Sequence, residues 1–123
     1  MNFDRYIKLA ISEAEKSTHR QRVGAIIFKG KRIISKGHNY PERMVRSVNK
    51  KFIRWPHSIH AEMAVILSSR CDLRGMSMLI VRINKKGELR YAEPCNFCKA
   101  YIEHVFLKKV FYSDSNKGII ELC

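Results

Sequence analysis

Pro94-Cys95-Asn96-Phe97-Cys98 is the stretch that decides how the chain is read. Proline is favoured as the first residue of a helix, where its missing N–H is no loss, so Cys95 and Cys98 come three residues apart on one face of a helix starting here. Unpaired N–H groups at such a start favour thiolate over thiol. Two sulfurs held in this way suit a metal, and upstream His60-Ala61-Glu62 offers an imidazole and a carboxylate. His60 and Glu62 are two residues apart, about 200° around an ideal helix, so both serve one centre only from an irregular first turn.

These groups fit a catalytic zinc. His60, Cys95 and Cys98 hold the ion and leave a fourth position for water, whereas a structural site takes a fourth protein ligand. Two thiolates offset the charge of the metal, and a neutral imidazole leaves it acidic enough to lower the pKa of bound water from ~15.7 towards ~7. Glu62 is then the base that takes a proton from the water and passes it to a leaving nitrogen. The competing reading is a zinc-stabilised nucleic-acid-binding module without turnover, which leaves Glu62 unused.

H-x-E followed by P-C-x-x-C resembles the signature of the zinc-dependent nucleobase deaminases. By these residues the chain is identified as a member of the cytidine/deoxycytidylate deaminase superfamily, with the resemblance anchored on residues 23–112. It implies that His60, Cys95 and Cys98 bind Zn2+, that Glu62 shuttles protons, and that water replaces the exocyclic amine of cytosine, or of adenine in the tRNA-editing branch. It further implies that the substrate lies against Ala61 and Pro94, and that Asn39, in Gly37-His38-Asn39, hydrogen-bonds its sugar or base. An Asx-turn before Pro41 is the other role open to Asn39.

At 123 residues, 46% of them apolar, the chain is expected to form a single domain over 1–123. No apolar run approaches the roughly eighteen residues of a membrane span, and Met1-Asn2-Phe3-Asp4 does not begin a signal peptide, so a soluble cytoplasmic protein with no membrane partner is expected. Of four cysteines, Cys95 and Cys98 go to metal, while Cys71 and Cys123 have no evident partner; a reducing compartment fits this usage. Lys and Arg outnumber Asp and Glu by 24 to 11, for a net charge of +13. That excess favours an anionic partner, a nucleotide or a single-stranded nucleic acid, against the alternative of a merely solvated basic surface. The resemblance also implies a homo-oligomer.

Along the chain, Asp4 to Lys16 places Tyr6 or Ile7, Ala10, Ile11 and Ala14 at helical spacing, with Asp4 as cap. Val23 to Phe28 and Arg32 to Lys36 read as hairpin strands around Lys29-Gly30-Lys31, and Gly24 allows close approach of a ligand or a neighbouring backbone. Residues 42–59 lack a period. There Arg43, Arg46, Lys50, Lys51 and Arg54 mix with Phe52 and Trp55, which either grip phosphates and stack bases or pin the loop to the core. His57, three residues before His60, is expected beside the site or in solvent rather than as a fourth zinc ligand, and His19 is expected to be a solvated loop residue. His60 to Arg70 continues as a helix with Met63 in the core, Met76 to Ile83 is a central strand, Glu88 to Tyr91 extends a ribbon, and Cys95 to Leu107 is a third helix.

Only Ser113 to Gly118 separates Val110-Phe111-Tyr112 from Ile119-Ile120-Glu121-Leu122. So short a link closes a hairpin, whereas a parallel partner needs a crossover of about a dozen residues or more. The last strand is therefore antiparallel to its neighbour, as in the free-nucleoside cytidine deaminases; the deoxycytidylate and tRNA-editing branches place a helix there. The expected fold is α/β: a cytidine deaminase-like three-layer sandwich of about five strands in a mixed sheet, with the two zinc helices on one face and the first helix on the other.

Overall fold

Ala25, Ile27, Met78, Ile80, Val110 and Tyr112 alternate along three strands with Ile26, Phe28, Leu79, Val81 and Phe111. Strands apolar on both faces need cover on both sides of their sheet. The computed structural model describes residues 3–17, 22–41, 58–59, 61–69, 72–94, 96–105, 107–116 and 118–122. In chain order these form α1 (Phe3–Glu15), β1 (Arg22–Lys29), β2 (Arg32–His38), β3 (Tyr40–Pro41), β4 (Ser58–Ile59), α2 (Ala61–Ser69), β5 (Ser77–Ile83), β6 (Leu89–Arg90), α3 (Asn96–His104), β7 (Lys109–Asp114) and β8 (Gly118–Glu121). Tyr6, Ala10 and Ala14 of α1 cover one face; Ala61, Val65 and Ile66 of α2 and Ile102 of α3 cover the other. The three layers are those expected.

The sheet has the order β2-β1-β5-β7-β8, with β6 added beside β5. Among the described residues only β5 and β7 pair in parallel; β8 runs antiparallel to β7, from Phe111↔Glu121 to Asp114↔Gly118. The short last connection thus closes a hairpin, with Asp114 Oδ2 accepting the Asn116 N–H at 3.1 Å. Among the described residues this sheet has six strands where about five were expected, the extra one being the two-residue β6 within the anticipated 88–91 ribbon. A second sheet, β3 with β4, was not foreseen: Tyr40 and Pro41 pair with Ile59 and Ser58. It brings together the two ends of the basic stretch, whose residues 42–57 lie outside those described.

Helix ends shift by a few residues, as helix boundaries do. α1 begins one residue before Asp4, which places that carboxylate in the first turn, where it meets the positive end of the helix dipole, rather than at the cap. α3 stops at His104, and Val105 and Leu107 pack against the core from beyond it.

Small residues set how closely the layers approach. A Cβ on Gly24 would fall on the Ala10 carbonyl and the Ala14 amide, so the close neighbour at Gly24 is the backbone of α1 and not a ligand. Tyr6 stacks on Phe28 with ring centroids 4.3 Å apart and donates its hydroxyl to the Gly30 carbonyl. Each large apolar side chain sealed in this layer, such as Ile26 or Phe28, contributes about 1.5–3 kcal/mol. On the other face Gly37 lies under α2, where an added Cβ would sit 2.6 Å from the Val65 amide nitrogen. Beside it, the Ser35 hydroxyl donates to the Val65 carbonyl at 2.7 Å.

Candidate active site

Those two contacts orient α2. Helix carbonyls point towards the C-terminal end and amides towards the N-terminal end. Ser35 meets the Val65 carbonyl, while Gly37, two residues further along β2, meets the Val65 amide. The helix therefore runs against β2, and its first turn, with Ala61 and Glu62, opens where β2 ends at Asn39. The Asn39 N–H donates to the Val23 carbonyl at 3.1 Å, and Val23 pairs with Arg82, so the start of β1 and the end of β5 lie at this same end.

α3 arrives there too. It precedes β7, which is parallel to β5, and the Lys108 N–H donates to the Met76 carbonyl at 2.7 Å where that strand begins. Its N-terminus lies at the opposite end, where the Ala92 N–H donates to the Ser113 carbonyl at 2.9 Å, two residues before Pro94. α2 and α3 touch each other. Their first turns consequently converge on the end of the sheet marked by Asn39, Val23, Arg82 and Ser113.

Glu62 is 6% exposed and Cys98 1%; Ala61 and Pro94 are buried. Cys98 is a thiol, not half of a disulfide. His60 and Cys95 lie outside the described residues, as do His19, His57, Cys71, Cys123 and the side chain of Met63. Among the described residues no three His, Cys, Asp or Glu side chains gather closely enough to hold a metal, two of the three expected ligands being outside that set. What is described fits zinc: a buried thiol in the first turn of one helix and a buried carboxylate in the first turn of another, on helices that touch and open at the same end.

Asn39 is buried in a bracket of its own. Its Oδ1 accepts the Val23 N–H at 3.0 Å and the Ser17 hydroxyl at 2.6 Å, and the same hydroxyl lies 3.0 Å from the Asn39 carbonyl. These bonds run to distant residues rather than around a local turn, and they fix the plane of the amide. Neighbouring His38 places Nδ1 3.5 Å from Glu13 Oε1, while Glu13 Oε2 takes the Lys16 ammonium at 2.6 Å. Burial pushes the Glu13 carboxyl up, but the hydrogen bonds and charges of Lys16 and His38 outweigh it and hold the group below its ordinary range. Ser17 and Glu13 carried no local signal in the sequence: one lies in a polar connector, the other among charged helix positions.

Around the second motif, Glu93 joins Lys99 Nζ at 3.0 Å and accepts the Tyr112 hydroxyl at 3.3 Å. The Lys99 hydrogen bond, followed by one from Tyr91, lowers the Glu93 carboxyl below its usual range. The ion pair ties the segment before Pro94 to the residue after Cys98 and so braces the start of α3.

The family model described as the cytidine and deoxycytidylate deaminase zinc-binding region matches residues 2–114. An "Uncharacterized deaminase in luxG 3'region" of Aliivibrio fischeri is 28% identical over 102 residues, covering 80% of this chain; the chain spans 63% of that relative's length. The dCMP deaminase of cyanophage S-TIM5, solved with dCMP and dUMP, has TM-score 0.64 at 22% identity, covering 89% of this chain and 78% of its own. Cytidine deaminase from Burkholderia pseudomallei has TM-score 0.68 at 15% identity, covering 99% and 92%. At such identities the two structures speak for the fold.

Proposed function

Because the chain belongs to the family of cytidine and deoxycytidylate deaminases defined by their zinc-binding region, we propose that it is a zinc-dependent hydrolytic deaminase converting cytosine to uracil. The observation that carries this reading is a buried carboxylate, Glu62, in the first turn of α2 and a buried thiol, Cys98, in the first turn of α3, on two helices whose starts lie at the same end of the sheet. A structural zinc module has no use for that carboxylate. His60, Cys95 and Cys98 would hold the ion. When bound, zinc supplies Lewis acidity that lowers the pKa of water towards ~7.

The chain's own residues do the rest. Glu62 takes a proton from water as its oxygen attacks C4 of the base, delivers that proton to the ring nitrogen, and carries the second to the departing amine, which leaves as ammonia. Burial of Glu62 keeps bulk water from competing for those protons. Asn39, whose Oδ1 already accepts from Val23 and Ser17, turns its amide NH2 as the donor to the sugar or base, and Ala61 and Pro94 lie against the substrate in this reading.

A deoxycytidylate-type nucleotide is the first substrate, supported by the net charge of +13 and by the ligands of the cyanophage enzyme. Cytosine or adenine in single-stranded DNA or RNA is the second, favoured by the same charge. Thiolate ligands persist under reducing conditions, so cytoplasm is the compartment of this reading, and a homo-oligomer is its expected assembly.

Glu62→Ala tests it. The variant is expected to retain zinc and thermal midpoint while releasing no ammonia from the substrate that the wild type turns over. Unchanged ammonia release would remove Glu62 from the chemistry. Failure of the wild type to act on any nucleoside, nucleotide, DNA or RNA would leave the non-catalytic zinc module instead.

A further inference from the structure

Arg82 interrupts an otherwise apolar run, Leu79-Ile80-Val81-Arg82-Ile83, and the β5–β6 hairpin sets Arg90 directly across from it. Met78 and Ile80 belong to the core beneath α2 and α3, so strand alternation gives Arg82, and with it Arg90, to that face. Their neighbours Ile83 and Leu89 pack on the α1 side. Val23, the partner of Arg82 on β1, accepts the Asn39 N–H. Two arginines thus share the face and the end of the sheet at which Glu62 and Cys98 are presented.

Directly opposed residues of an antiparallel pair have Cβ atoms about 4.5–5.5 Å apart, and like charges there are destabilising. Among the described residues no carboxylate comes within ion-pair distance of half-buried Arg82, and Glu88 approaches only Arg90, at 4.0 Å. The frame beneath them is stiff. Ser113 Oγ accepts the Arg82 N–H at 3.0 Å and donates to the Arg90 carbonyl at 2.6 Å. At the hairpin tip Asn84 Oδ1 accepts the N–H groups of Lys86 and Glu88, each at 2.9 Å.

We propose that Arg82 and Arg90 form a seat for a phosphate group of the substrate. Two guanidinium forks on one rigid hairpin present the parallel N–H donors that a phosphate accepts, and an anion between them relieves their repulsion. This rests on reading the site as that of a deaminase acting on nucleotides. The phosphate is either the 5′-phosphate of a mononucleotide or a phosphodiester of a single strand.

The test is calorimetric binding of product-type ligands to the zinc-loaded protein: dUMP, deoxyuridine, and a short single-stranded DNA containing one uracil. A phosphate-bearing ligand is expected to bind at least tenfold more tightly than deoxyuridine. Arg82→Gln and Arg90→Gln should each shrink that preference fivefold or more, and Arg82→Lys, which keeps the charge but loses the fork, should shrink it less while holding the wild-type thermal midpoint. A preference confined to the oligonucleotide and lost in both Gln variants assigns the seat to a phosphodiester. A preference that survives both Gln substitutions, or a wild type that ignores phosphate altogether, overturns the proposal. Deamination is assayed separately: an Arg82-dependent dUMP preference without turnover of any cytosine substrate would leave the seat standing and remove the enzyme reading.

Discussion

Gly37→Ala probes the joint between sheet and site. The added Cβ would stand 2.6 Å from the Val65 nitrogen, 2.9 Å from its Cα and 3.0 Å from the Ala64 carbonyl carbon, all backbone atoms of α2. The nearest is about 0.8 Å short of the 3.4 Å at which ordinary contact begins, so α2 must lift rather than a side chain swing aside. At an unobstructed strand position the same change would stabilise the protein by roughly 0.4–1 kcal/mol through the unfolded chain. Here overpacking wins, at about 1–3 kcal/mol, or roughly 4–12 °C in thermal midpoint for a domain of this size. The larger effect falls on activity. α2 carries Glu62 one turn before Val65, and misplacing a reacting group by about 1 Å can lower a rate by ~100-fold. Ammonia release per folded molecule, measured beside a melting curve, is expected to fall at least tenfold while zinc is retained. An unchanged or raised midpoint would refute the packing argument, and full activity at a lowered midpoint would refute the link from Gly37 to Glu62.

Other consequences concern polar groups. Because Glu13 titrates below its ordinary value when folded, its contribution is complete above the unfolded carboxylate range near pH 4.5 and fades as pH falls through the lower folded value. The gap in thermal midpoint between wild type and Glu13→Gln should be widest from pH 5 upwards and close at more acid pH; a constant gap would mean that the charge is irrelevant. Ser113→Ala leaves the Arg82 N–H and the Arg90 carbonyl without their buried partner and should cost about 1–3 kcal/mol. Chemical denaturation would measure that loss, and faster amide hydrogen exchange at Arg82 would localise it.

Much of the scaffold could be read from residue order because its determinants are local. The six-residue link after Tyr112 admits only a hairpin partner, and that is how β8 pairs. The double-sided apolar character of 77–83 marks a strand flanked on both edges, and β5 lies between β1 and β7. What escaped depends on contacts between residues far apart in sequence. The β3–β4 ribbon joins Tyr40 to Ile59, and Ser17 reaches Asn39 across 22 positions; no local period encodes either. Of the site, the burial of Glu62 and Cys98 at the starts of neighbouring helices agrees with the H-x-E and P-C-x-x-C motifs. Gly37 looked like part of a substrate motif; structurally it is also the clearance that lets α2 lie on β2. Arg82 did leave a mark, a lone charge in an apolar strand, but its meaning needs the hairpin that sets Arg90 opposite.

In the proposed reaction water, activated beside Glu62, replaces the exocyclic amine of a cytosine base. Incubating the zinc-loaded protein with cytidine, deoxycytidine, dCMP and a cytosine-containing single strand in oxygen-18 water, with products read by mass spectrometry, tests it directly. The expected product is uracil carrying one heavy oxygen, accompanied by an equal amount of ammonia and absent in Glu62→Ala. A product without the heavy oxygen, or one formed equally by the variant, would contradict it.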